Sequence, residues 1–156
     1  MRSPAFFPYL CGFLCGFIGW ISLVAWTTPA IAATPSPDPS RQPAVEVTVH
    51  LGNSANELRF FPDTTQFAAG KRYKLVLDNP SAGKHYFTAK DFADGIWSQK
   101  VEAGKVEIKG AIHDLELKPG AIAEWFFIPL KPGTYELHCS IPGHTEAGMV
   151  GKLVVD

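Results

Sequence analysis

The sequence predicts an all-β fold, a Greek-key β-sandwich of about seven to eight short strands. Three observations carry this. Residues Ala44 to Leu51 alternate apolar and polar with period two and are rich in β-branched side chains. Short apolar segments of similar length recur along the rest of the chain, and Gly, Pro and Asn turn signals separate them. With 46% hydrophobic residues in 156, the chain is too apolar for intrinsic disorder. Its 14 basic against 15 acidic residues argue against the clustered basic face that nucleic-acid binding needs. Three cysteines are too few and too poorly placed for a disulfide framework.

Residues 1–33 stand apart from the fold. Arg2 is the only charged residue before Asp38, and Ala5 to Trp26 is an uncharged, mostly apolar run followed by small residues around Ala30-Ile31-Ala32. A charged start, an apolar stretch and an A-x-A-like site describe an export signal. The stretch also reaches the roughly 20 residues that span a bilayer, so an uncleaved N-terminal membrane anchor is the alternative. Either reading places the rest of the chain outside the cytoplasm, in a periplasm, a thylakoid lumen or on a cell surface. Residues 34–43 carry four prolines and read as an extended linker. The globular domain is then 44–156.

After the strand at Ala44 to Leu51, further strands are expected at Leu58 to Phe61, Arg72 to Asp78, His85 to Thr88, Ile112 to Leu117, Ile122 to Ile128, Thr134 to Cys139 and Val150 to Val155. The turns between them include Ala69-Gly70, Asn79-Pro80, Lys118-Pro119-Gly120 and Lys131-Pro132-Gly133. Residues Lys90 to Trp97 allow one short helix, and the run Trp125-Phe126-Phe127 is assigned to the core and sheet faces.

The chemistry concentrates near the C-terminus. Beyond the leader the chain has a single cysteine, Cys139, followed by His144 and Met149 in a C-x4-H-x4-M pattern. Cys139 ends one strand and Met149 precedes the next, with the Pro142-Gly143 turn between them. Thiolate and thioether are soft ligands and imidazole is borderline, a set that selects copper over oxygen-seeking Mg²⁺ or Ca²⁺. A trigonal copper site needs a second histidine. His85, at the start of a strand after the Asn79 to Lys84 loop, is the best placed. His50 and His113 suit exposed positions better. His138 immediately precedes Cys139, so its side chain points to the other face of the strand.

This ligand run, with an upstream histidine after an Asn-Pro turn, resembles the cupredoxin (type 1 blue copper) family. Its spacing is closer to the rusticyanin and auracyanin type than to the shorter plastocyanin loop. The resemblance implies a β-sandwich holding one copper ion, with His85, Cys139 and His144 in plane and Met149 as weak axial ligand. It also implies one-electron transfer between redox-protein partners, with the outer edge of His144 as the electron port amid Ile141, Pro142 and Ala147. A monomer without enzymatic activity is expected. The alternatives are a copper carrier or storage protein, and a nitrite-reductase-like or multicopper-oxidase-like subunit using His138 for a second copper. Two features depart from the family's common pattern. Tyr86 follows the first histidine where many members have Asn or Asp tying the ligand loops together, and Lys90 to Gly110 reads as an insertion.

Overall fold

The computed structural model describes residues 38–156. The leader expected at 1–33 lies outside the described residues. Of the linker, the last part is described. Pro39–Arg41 forms a 3-10 turn where an extended chain was expected. Its cause is local: the Asp38 carboxylate accepts from the Ser40 backbone N–H at 2.9 Å, and proline stands at the first helical position.

Among the described residues, eleven strands and one short helix follow: β1 Val45–Leu51, β2 Phe60–Phe61, β3 Thr64–Phe67, β4 Tyr73–Asp78, β5 His85–Thr88, α1 Lys90–Asp94, β6 Ile96–Ala103, β7 Val106–Ile108, β8 Asp114–Leu117, β9 Ile122–Pro129, β10 Gly133–His138 and β11 Val150–Val155. They form a six-stranded sheet in the order β2-β1-β4-β9-β6-β7 and a five-stranded sheet in the order β3-β11-β10-β5-β8. Neighbours are often distant in sequence, as a Greek-key sandwich requires. β1–β4 and β3–β11 are parallel pairs, and the rest are antiparallel.

All eight expected strands are present, but the expected count of seven to eight falls short of the observed eleven. One missed strand is β3, Thr-Thr-Gln-Phe, in which only Thr65 and Phe67 are buried, too polar a pattern to stand out. The other two form the β6–β7 hairpin, which with α1 makes up the segment read as an insertion. A register shift between Ser98 and Lys100 breaks the period-two alternation of β6. The helix is shorter than the span allowed for it. Its N-cap, Ala89, makes no side-chain capping bond, and the helix stops at Gly95. A Cβ on Gly95 would lie 2.8 Å from the Tyr135 hydroxyl, so no larger residue fits there without displacing the tyrosine.

The inner faces of both sheets supply one core. Val49, Leu75, Leu77, Phe87, Trp125, Phe127, Leu137 and Leu153 are almost completely shielded from solvent. Phe92 of α1 plugs between the sheets and meets Trp125 and Phe127 edge-on, with ring centroids 6.2 and 5.3 Å away. In the Trp125-Phe126-Phe127 run the outer residues of the triplet are buried. Phe126 faces out beneath the cations of Arg72 and Lys100, 5.4 and 5.1 Å from its ring.

The strand ends define where the two sheets meet functionally. His50 pairs in register with Asp78, and Asp78 with Ile122, so the ends of β1 and β4 and the start of β9 share one end of the first sheet. In the second sheet His85 pairs with Leu117, placing the start of β5 beside the end of β8. Asn79, just past β4, bonds across to the Leu117 carbonyl at 2.9 Å and brings those two ends together.

Candidate metal centre

Cys139 follows β10 directly and is completely buried, on the same face as Leu137. The loop after it folds back through its own backbone. His144 N–H donates to the Ile141 carbonyl at 3.0 Å, and Met149 N–H donates to the His144 carbonyl at 2.9 Å. Cys139 N–H donates to the Met149 carbonyl at 3.1 Å, and the Thr145 hydroxyl donates to the Cys139 carbonyl at 3.0 Å. These bonds turn the His144 ring toward the thiol, with Nδ1 3.4 Å from the Cys139 sulfur. Met149 is completely buried beside the backbone of Cys139.

His85 reaches the same point from the other loop. It is 2% exposed, and its ring centroid lies 5.2 Å from that of His144. One ligand atom from each of His85, Cys139 and His144 falls within 4.8 Å of the others. The Nδ1 of His85 is buried without a hydrogen-bond partner in the protein. A buried polar atom left unpaired costs about 1–3 kcal/mol, so an orphan ring nitrogen on a histidine of a thiol–imidazole cluster fits a metal-ligating role. The donor set itself, two imidazoles and a thiol with a buried thioether nearby, suits copper.

Burial, first, and then the charge of His144 push the His85 imidazole below its ordinary value of 6.5. Both causes favour the neutral ring, the form that can bind a metal. On its other side the ring rests against Gly52, in the left-handed region at φ +81°. A Cβ there would lie 3.3 Å from His85 Nε2.

The Tyr86 departure leaves one contact to the sulfur in place. The backbone N–H of Tyr86 donates to the Cys139 sulfur at 3.3 Å, a bond independent of the side chain. The tyrosine hydroxyl instead donates to Glu116, which also accepts from Lys84 at 3.0 Å. These two donors hold the Glu116 carboxyl below the usual carboxylate range, and the bond to Glu116 raises the phenol.

The remaining histidines stay out of the cluster. His50 pairs with Asp78 and His113 with Asp94, both with rings more than two-fifths exposed. His138 lies on the opposite face from Cys139, as strand alternation predicts, with Nδ1 3.1 Å from a Glu136 oxygen. The sequence did not single out Asn79, Ser81, Gly52 or Thr145, which hold the ligand loops. Asn79 stood in it only as a turn signal, and the others needed tertiary contacts to be found.

The cupredoxin-like domain family matches residues 17–155. The copper-resistant cuproprotein CopI of Rubrivivax gelatinosus is 33% identical over 134 residues, which cover 80% of this chain and 75% of that protein. The chloroplastic plastocyanin of Fritillaria agrestis is 35% identical over 114 residues, covering 72% of this chain and 61% of that one. Among solved structures, auracyanin A of Chloroflexus aurantiacus superposes with a TM-score of 0.51 at 20% identity, over 73% of this chain and all of that one. The copper-containing nitrite reductase of Thermus scotoductus gives 0.56 at 14% identity, over 75% of this chain but only 32% of the enzyme. At such identities these superpositions speak for the fold alone. With the sandwich, the ligand-loop spacing and the family match in agreement, the chain belongs to the cupredoxin-like family.

Proposed function

We propose that this chain is a small exported blue copper protein that carries single electrons between redox-protein partners. His85, Cys139 and His144 would hold one copper ion, with Met149 as the weaker fourth ligand. The observation that carries this reading is the convergence of two imidazoles and a buried thiol within 4.8 Å, from two loops far apart in sequence. Copper bound there would supply a Cu(I)/Cu(II) one-electron couple. The chain's own residues do the rest. The Tyr86 N–H bonds to the Cys139 sulfur, and such a bond tunes the potential of a thiolate-bound metal. The buried residues around the cluster keep bulk water away from it. His144 is only half-buried and is flanked by Ile141, Pro142 and Ala147, which gives electrons a short route to a docked partner.

All four proposed ligand positions are side chains, with no position set aside for a substrate, which favours a carrier over an enzyme. The domain would act as a monomer. In the full chain, 1–33 would export or tether it and 34–43 would link it to the copper domain 44–156. The name of the CopI relative favours a second reading, in which the chain handles copper rather than electrons. Voltammetry of the copper-loaded protein separates the two. An electron carrier gives a reversible one-electron wave that vanishes in Cys139→Ser. A copper-handling protein gives no reversible wave and yields its metal readily to a chelator.

A further inference from the structure

We infer that Asn79 is a positioning residue for His85, setting the second imidazole in place before any metal arrives. The inference rests on the reading of His85 as a copper ligand. Asn79 is 1% exposed, and every bonding position of its amide is filled. Its Nδ2 donates to the carbonyls of Gly83, at 2.7 Å, and Leu117, at 2.9 Å. Its Oδ1 faces the Ser81 backbone N–H at 3.0 Å and the Ser81 hydroxyl at 2.7 Å. Its own backbone accepts from Gly120 N–H at 2.7 Å and donates to the Ala121 carbonyl at 3.1 Å. One side chain thus ties together the end of β4, the loop leading to His85, and the end of β8.

Each tie bears on the imidazole. Gly83 lies two residues before His85. Leu117 is the cross-strand partner of His85 in the β5–β8 pair. Ser81 closes the back of the site, because a Cβ on Gly52 would meet Ser81 Cβ at 3.2 Å and His85 Nε2 at 3.3 Å. A simple Asx turn would explain the Ser81 bonds alone. It does not explain a buried donor reaching across to the second sheet, next to the one ligand that lies outside the C-terminal loop. Only an amide of this length fits. Aspartate keeps the acceptor but sets a carboxylate against two carbonyl oxygens. Leucine removes the amide donor from both carbonyls, leaving Gly83 only the Ser81 hydroxyl at 3.0 Å, and takes the acceptor from the Ser81 N–H.

The test compares wild type, Asn79→Asp, Ser81→Ala and Val155→Ala, a core truncation at the far end of the sandwich. Copper(II) affinity and the visible spectrum are measured well below each melting temperature. A positioning role predicts affinity about 10–100-fold weaker in Asn79→Asp, the range found when a partner orienting a metal-binding histidine is lost. It also predicts a shifted visible band in that variant and a smaller change of the same sign in Ser81→Ala. Val155→Ala is expected to melt lower yet bind as wild type does. An Asn79→Asp that melts lower but keeps wild-type affinity and spectrum overturns the inference. Should Asn79→Asp not fold, Ser81→Ala decides on the same readouts. Hydrogen exchange of the Asn79 side-chain amide in the copper-free wild type gives an independent check. Slow exchange is expected, and fast exchange overturns the inference. A wild type without any thiolate–copper band overturns the copper reading and this inference together, whereas a coloured wild type with unchanged variants overturns this inference alone.

Discussion

The two loops that build the site are held by different means. The loop from Cys139 to Met149 supplies a thiol, an imidazole and a thioether from one short stretch, and closes on itself through five backbone bonds and the Thr145 hydroxyl. The loop from Asn79 to His85 supplies one imidazole and depends on contacts with residues more than thirty positions away, including Leu117, Gly120 and Ala121. The first is local and self-sufficient, while the second is precise only because two sheets meet there. The contrast separates what a ligand needs in order to exist from what it needs in order to point the right way.

Substitutions in the local loop should have the largest effects. Cys139→Ser is expected to remove the visible thiolate–copper band completely, as absorption spectroscopy of the copper-treated protein would show. Met149→Ala comes next. Truncating a fully buried side chain leaves a cavity, with an expected loss of about 2–5 kcal/mol in denaturant unfolding of the copper-free protein. In the copper-loaded protein the same change should shift the reduction potential. Thr145→Val deletes one hydrogen bond within the loop and keeps the side-chain shape, so a loss of about 0.5–1.5 kcal/mol is expected in the same assay.

The remote loop should show itself through pH. Burial and the His144 charge hold His85 below 6.5 in the folded chain, so between that lowered value and 6.5 the unfolded chain binds the extra proton. The stabilisation linked to neutral His85 is therefore complete above about pH 6.5 and fades as pH falls through the lowered folded-state value. Melting temperatures of the copper-free protein against pH should fall across that range, and less steeply in His85→Gln. An equal slope in the two proteins would refute the assignment. The smallest effect belongs to His138→Ala. With that ring on the other face of the strand, copper stoichiometry and spectrum should match wild type by metal analysis and absorption, whereas a lost second copper would revive the enzyme reading.

The same contrast governs how much could be read from the sequence. β1 and β4 were legible because Val45–Leu51 and Tyr73–Asp78 alternate more and less buried positions without interruption. β3 was not, because its polar residues carry a burial pattern set by neighbouring strands, and β6 was hidden by the bulge at Ser98–Lys100. At the site, Cys139, His144 and Met149 were visible as a spacing. His85 was reached only by its position after the Asn79 to Lys84 loop and by elimination; His50 and His113 are paired with the carboxylates of Asp78 and Asp94. Asn79, Gly52 and Thr145 carry no periodicity or spacing that would mark them. Their roles exist only once distant segments touch.

The central claim is that His85, Cys139 and His144 share one copper ion. Its most direct test is the visible absorption spectrum of the protein loaded with one equivalent of copper(II), before and after ascorbate and again after reoxidation. The account predicts an intense thiolate-to-copper band that bleaches on reduction and returns on oxidation. A protein that holds the copper yet stays colourless throughout would contradict it.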